Sequence, residues 1–95
     1  MEHIIELINL VNPLLNFLRL YDSIRDLNSP NGATVRQITQ HLNGQFVHCN
    51  EEHVHIFLQV AVTRGRVEVV QGGHYRVLSR RERRAIRNAL QNEDE

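Results

Sequence analysis

The hydrophobic pattern of this chain changes its period after Gly65, and this change restricts the fold more than any other feature of the sequence. Before Gly65 the apolar residues recur every three or four positions, as they do along amphipathic helices. After it, residues 66–71 and 74–78 alternate apolar and polar side chains around Gly72-Gly73. Such segments predict a β-hairpin with a two-residue turn. Helices followed by a single hairpin indicate the α+β class.

The same alternation assigns the two faces of the predicted hairpin. Glu68 and Arg76 are expected on its outer face. The side chains expected to face inward are Val67, Val69, Tyr75 and Val77.

Two helices are predicted before the first strong turn signal of the chain. An apolar stripe indicates a helix over residues 3–11. A second helix is expected to begin at Asn12-Pro13 and to run to Asn28, because asparagine is a good N-cap and proline suits the first helical position.

Capping signals indicate two further helices before Gly65. Thr34 and Gln37 have the spacing of a capping box, and Asn43-Gly44 is a stop signal for the helix that they open. Asn50 is expected to cap the next helix, which should end near Gly65.

The core is expected to form between these helices. Phe57 and Leu18 should be buried together, and Phe46 should anchor the linker 45–49. A broad apolar stripe along the second helix contains Leu14, Phe17, Leu18, Leu20, Tyr21, Ile24 and Leu27. The predicted core residues of the next two helices are Val35, Ile38, Leu42, Val54, Leu58 and Ala61.

A last helix is predicted from the capping box formed by Ser79 and Glu82 to about Asn92. One face is expected to be apolar, with Ala85, Ile86, Ala89 and Leu90. Arg80, Arg84 and Arg87 should form a stripe on the other side, and an acidic tail follows. The chain is thus divided into an N-terminal helix (1–12), a core (13–78) and a C-terminal arginine-rich helix with its tail (79–95).

The order of these elements is that of a winged helix: a three-helix bundle with a C-terminal β-hairpin, here with an extra N-terminal helix and a C-terminal helix. Residues 32–42, 54–67 and 72–78 resemble the globular domain of linker histones, and an uncharacterised insect family of winged-helix domains is also similar. The resemblance implies a nuclear module associated with DNA or chromatin. The chain departs from linker histones in having no lysine and in carrying Glu52 on the outer face of the third bundle helix.

The charge is distributed unevenly along a chain whose formal net charge is zero. Residues 61–95 contain eight arginines and five acidic residues, whereas residues 1–60 contain three arginines and six acidic residues. Such asymmetry indicates either a face that binds a polyanion or an ordinary solvated helix. On the first interpretation, DNA is bound through weak, sequence-tolerant phosphate contacts. The candidate residues for nucleic-acid binding are Arg64, Arg66, Arg76, Arg80, Arg81, Arg84, Arg87, His55 and Gln59.

The alternative hypothesis is a protein-interaction module of the same fold, an adaptor or a dimer, that binds no nucleic acid. The N-terminal helix is not needed for a winged helix, and its aliphatic residues must be buried either in the chain's own core or against a partner. The candidate interface residues are Ile4, Ile5, Ile8, Val11 and Ile56.

Other classes of function have little support in the sequence. No motif of a nucleotide-binding or hydrolytic site is present, so we expect no enzyme, no cofactor and no small-molecule substrate. His48, Cys49 and His53 lack the second pair of ligands that a structural zinc site needs, so no metal is expected. No apolar run is long enough to span a membrane, and a single cysteine fits a reducing, intracellular compartment.

Overall fold

The computed structural model describes residues 2–93 of the chain, and the side chains of residues 3–90. These residues form an α+β structure with five helices and one antiparallel hairpin. In chain order the elements are α1 (Glu2–Val11), α2 (Phe17–Leu27), α3 (Val35–Gly44), α4 (Glu51–Thr63), β1 (Val67–Val70), β2 (His74–Val77) and α5 (Arg80–Glu93).

Side-chain caps open α3 and α4, as the sequence predicts. Thr34 Oγ1 accepts a hydrogen bond from the backbone N–H of Gln37, and the Gln37 side chain accepts one from the Thr34 N–H. Asn50 caps α4 by accepting from the His53 N–H at 2.8 Å. These bonds satisfy backbone donors that have no partner within a helix.

The predicted start of α2 at Asn12-Pro13 is wrong by several residues. Asn16 is the N-cap, and its side chain accepts a hydrogen bond from the Arg19 N–H at 2.9 Å. The Asn12 side chain instead donates to the carbonyl of His48, which ties the α1–α2 junction to the linker before α4. Leu15, between the two asparagines, is fully buried. Both asparagines are good caps, and burial of Leu15 accompanies the choice of the second.

The predicted burial of Leu18 is wrong, because Leu18 lies at least about 120° around α2 from the buried Leu20 and Ile24. Leu18 is 67% exposed, whereas Phe57 is completely buried as predicted. Phe17 packs against Phe57 in its place, with the ring centroids 4.9 Å apart. Around this contact, Leu20 and Ile24 continue the buried face of α2.

The predicted burial of Phe46 is also wrong, because α3 ends differently from the sequence signal. Gly44 is still helical, and Phe46 takes the left-handed conformation at φ 65°. The N–H of Val47 then bonds to the Leu42 carbonyl, and that of Phe46 to the Asn43 carbonyl. This is the Schellman arrangement, in which the residue after the left-handed one packs inward. Val47 is therefore buried, and Phe46 is 77% exposed.

The hairpin lies where the sequence places it, but its turn has three residues rather than two. Val70 pairs with His74, so Gln71 to Gly73 form the turn, and both of its glycines have positive φ. The predicted inward position of Val69 does not bury it: Val69 is exposed, although its cross-strand partner Tyr75 is buried. Val67 and Tyr75 are buried, and Val77 is half-buried.

A short third strand segment holds the hairpin against the bundle. Ala33 and Tyr75 exchange two backbone hydrogen bonds, of 2.9 and 2.7 Å, in an antiparallel bridge. Gly32 must precede this bridge as glycine, because its φ is +85° and a Cβ there would lie 2.9 Å from the Tyr75 carbonyl oxygen.

The extra helix α1 packs against α4 and contributes Ile5 and Ile8 to the core. On α4, Val60 is buried although it lies about 120° around the helix from Val54. We infer that α1 covers this flank of α4, which the α2–α3 side of the bundle does not reach.

Candidate nucleic-acid interface

The last helix, α5, leaves most of its surface open to solvent. Ser79 and Glu82 form the predicted reciprocal capping box, with two hydrogen bonds of 3.1 Å. Beyond it, every described side chain from Arg84 to Leu90 is exposed. The predicted apolar face of α5 is therefore unburied, with Ile86 and Leu90 about half exposed.

Four arginines of α5 line one shallow cleft of about 280 Å³. Three of them are the stripe predicted from the sequence, and Arg83 is the fourth. Successive members of this set are one or three positions apart, so their side chains lie on one side of the helix. The sequence interpretation omitted Arg83, although its spacing of three from Arg80 and four from Arg87 is a signal that could have identified it.

A second cleft, of about 440 Å³, lies between α5 and the turn that joins α4 to β1. Arg64 and Arg66 line one side of it, and Arg83 and Arg87 line the other. The remaining lining residues are Gly65, Ile86 and Leu90. Because Arg83 and Arg87 line both clefts, the two form a continuous arginine surface, defined here as Arg64, Arg66, Arg80, Arg83, Arg84 and Arg87.

On the side that faces the helical bundle, the arginine surface lies against aromatic residues. The guanidinium of Arg64 lies over the ring of Phe17, 4.5 Å from its centroid. Burial raises the pKa of the Tyr21 hydroxyl, while the positive charges of Arg66, Arg64, Arg83 and Arg25 oppose that rise. Three of these four guanidinium groups belong to the arginine surface, and they come from two separate segments of the chain.

Arg76 and Arg81 are placed differently from the other predicted arginines. Arg76 Nε donates to Glu68 at 2.8 Å, and its Nη1 donates to Glu82 at 3.2 Å. These bonds raise the pKa of Arg76 and lower that of Glu82 to about 2. Arg76 lies between Glu68 on β1 and Glu82 on α5, and these two carboxylates compensate its charge. Arg81 is exposed on α5 but lines neither cleft.

The outer face of α4 offers few groups that could read bases. His55 and Glu52 are exposed, and Glu52 would repel phosphate. Gln59 is half-buried, and its side-chain amide donates to the Tyr75 hydroxyl at 3.3 Å. Ile56, a predicted interface residue, is half-buried against the chain's own core.

The other predicted interface residues are divided between the core and the surface. Ile5 and Ile8 are buried within the domain, whereas Ile4 and Val11 are exposed. Two leucines that the prediction omitted, Leu7 and Leu10, are exposed beside them. We call Ile4, Leu7, Leu10 and Val11 the α1 outer face.

Within the described residues, no group of three or more histidine, cysteine or carboxylate side chains could hold a metal ion. Cys49 is half-buried, and burial raises the pKa of its thiol. Its backbone N–H donates to the Asn43 side chain at 3.1 Å, and this hydrogen bond ties the segment to α3. No helix in the described part of the chain has the length and apolar character needed to cross a membrane.

Comparison with protein-family models, with curated proteins and with solved structures found no match to this chain.

Proposed function

We propose that this chain is a winged-helix module that binds DNA or chromatin in the nucleus through its arginine surface. The observation that carries the proposal is that six arginines line two adjoining clefts, and that no acidic residue whose side chain is described lines either one. Guanidinium groups bind phosphate through paired hydrogen bonds and keep their charge at any physiological pH. Binding of this kind is governed by the release of counterions from the nucleic acid.

The element order supports the winged-helix part of the proposal. Three helices, α2 to α4, precede a hairpin, and the Ala33–Tyr75 bridge adds a short strand between α2 and α3. The resemblance of residues 32–42, 54–67 and 72–78 to linker-histone domains points in the same direction.

The proposed binding is tolerant of DNA sequence. Specificity needs side chains that reach base edges, and phosphate contacts carry no sequence information. On α4, Gln59 is engaged by Tyr75 and Glu52 has the wrong charge, which leaves His55 as the exposed candidate among these three. We therefore assign the affinity to the arginine surface and little discrimination to α4.

The proposal is tested by fluorescence anisotropy with a short labelled duplex over a range of salt concentrations. With about four to six phosphate contacts, log K should fall with log salt at a slope of roughly −4 to −5. The double variant Arg84→Glu, Arg87→Glu should lose binding at least tenfold, because both side chains are exposed members of the arginine surface.

A charge-matched control separates this surface from the overall charge. The variant Arg19→Glu, Arg36→Glu changes the net charge equally at two exposed positions that line neither cleft. It should bind much more strongly than the α5 variant. Equal losses in the two variants would contradict the assigned surface. No binding by the unmodified chain at about 50 mM salt would reject the proposal in favour of a protein-interaction module that does not bind nucleic acid.

A further inference from the structure

The α1 outer face is an apolar surface that the fold leaves uncovered. Ile5 and Ile8 use the inner side of α1, while the four aliphatic residues of the outer face are between 44% and 82% exposed. Glu6 lies about 160° around the helix from Ile4 but about 40° from Leu10, so the His3–Glu6 pair borders the outer face on its Leu10 side. The four aliphatic side chains themselves call for a partner surface that is aliphatic.

The spacing of the outer face specifies a helical partner. Ile4, Leu7 and Val11 are separated by three and then four positions, which is the seam along which two helices pack knobs into holes. Leu10 extends the seam on one side. The complement to such a seam is another helix with the same pattern.

The area of the face agrees with association of modest strength. Four aliphatic side chains exposed to this degree present several hundred Å², which matches the largest apolar patch of a typical monomer, about 300–600 Å². A standard interface buries about 800 Å² on each partner. The α1 outer face thus supplies over half of the area that one partner buries in such an interface, and residues around it would supply the rest.

We propose that the α1 outer face is the self-association surface of this protein, and that its occupant is α1 of a second copy. A two-fold axis pairs the helices in antiparallel orientation, so that Ile4 lies opposite the partner's Val11 and Leu7 meets the partner's Leu7. This orientation aligns the helix dipoles favourably. Of the other large aliphatic residues exposed on helices of the described chain, Ile86 and Leu90 are flanked by Arg83 and Arg87, and Leu18 has Asp22 one helical turn away, so they offer a poorer complement.

Sedimentation velocity and light scattering over a range of protein concentrations test this pairing. The unmodified chain should change from a mass of 11.1 kDa to twice that value as its concentration rises. The variant Leu7→Glu, Val11→Glu should remain a monomer throughout, because a buried carboxylate pair at the two-fold axis is strongly unfavourable. Circular dichroism confirms that it stays folded; if it does not, Leu7→Gln, Leu10→Gln replaces it, since glutamine keeps the helix and removes the apolar contact.

Two controls distinguish this pairing from other modes of association. Val69→Glu alters an aliphatic residue of the hairpin that is as exposed as Leu7, 54% against 53%, and should associate as the unmodified chain does. Leu90→Glu should do the same. A monomeric unmodified chain at the highest concentration overturns the proposal. So does a dimer that survives both α1 variants, or one that either control dissociates.

Discussion

The two helices at the ends of the chain, α1 and α5, are both amphipathic, yet only α1 packs into the core. α1 buries Ile5 and Ile8 against the bundle, whereas Ile86 and Leu90 of α5 remain about half exposed. Their compositions explain the difference. Docking α5 would bury two alanines and two large aliphatics next to arginines that favour water, so little apolar area is gained. Hydrophobic periodicity therefore shows which residues share a face, but it does not show whether that face finds a partner.

The comparison of α1 with α5 assumes that the bundle itself is tightly packed. Substitution of Phe57 tests this assumption, and it has the largest expected effect on stability. Phe57→Ala removes a fully buried ring that stacks on Phe17 and should lower the free energy of unfolding by about 3–5 kcal/mol. Leu18→Ala, on the exposed side of α2, should change it by less than about 1 kcal/mol. Urea denaturation followed by circular dichroism measures both. Comparable losses in the two variants would contradict the placement of Leu18.

The contrast between Leu18 and Phe17 shows where sequence reasoning succeeds and where it fails. Helix existence and the caps at Thr34, Asn50 and Ser79 are predictable, because those side chains make the hydrogen bonds that start the helix. The buried side of α2 is not, because its predicted apolar stripe spans about half of the helix and contains both Leu18 and Phe17. Packing against Phe57 selects the side with Phe17 and leaves Leu18 exposed.

The arginine surface shows the same limit at the level of tertiary structure. The stripe on α5 follows from helical spacing alone, so its members were predictable. Its junction with Arg64 and Arg66 depends on the angle at which α5 leaves the hairpin, and no local pattern encodes that angle. The two ion pairs of Arg76 differ in the same way. Its pair with Glu68 follows from the strand register, whereas its pair with Glu82 depends on where α5 lies.

Matched truncations on the two terminal helices test the comparison directly. Ile8→Ala should lower the free energy of unfolding by about 2–4 kcal/mol, because it leaves a cavity between α1 and the bundle. Leu90→Ala should change it by less than about 0.5 kcal/mol, because the side chain is exposed. Thermal unfolding of both variants at one protein concentration gives the ratio of the two stability losses. A large loss from Leu90→Ala would mean that α5 docks in solution.

The connection of α5 to the hairpin is expected to depend on pH. The hydrogen bonds from Arg76 and from Ser79 hold the pKa of Glu82 at about 2, below its ordinary value of 4.5. A carboxylate whose pKa is lowered by folding stabilises the folded state above its unfolded pKa, and this contribution is lost as the pH falls from about 4.5 towards 2. Glu82→Gln keeps the capping geometry but removes the charge, so it should melt lower than the unmodified chain at pH 7, and this difference should shrink as the pH falls towards 2.

A double-mutant cycle with Arg76→Gln assigns this dependence to the ion pair. In the Arg76→Gln background, Glu82→Gln should have a smaller effect on the melting temperature at pH 7, because the carboxylate has lost its strongest partner. An undiminished effect would assign the lowered pKa to the helix cap alone.

The smallest expected effect on stability is that of substituting Phe46, which is exposed although the next residue, Val47, is buried. Phe46 adopts a left-handed conformation that costs a non-glycine residue about 1–2 kcal/mol, and its ring is exposed. Phe46→Gly removes that cost but adds conformational freedom to the unfolded chain, worth about 0.4–1 kcal/mol. The net result should be a melting temperature that is unchanged or slightly higher. Val47→Ala, one residue later, should lower it clearly, because Val47 is buried at the end of α3. A stability loss from Phe46→Gly comparable to that from Val47→Ala would mean that the aromatic ring is packed after all, as the hydrophobic pattern alone predicts.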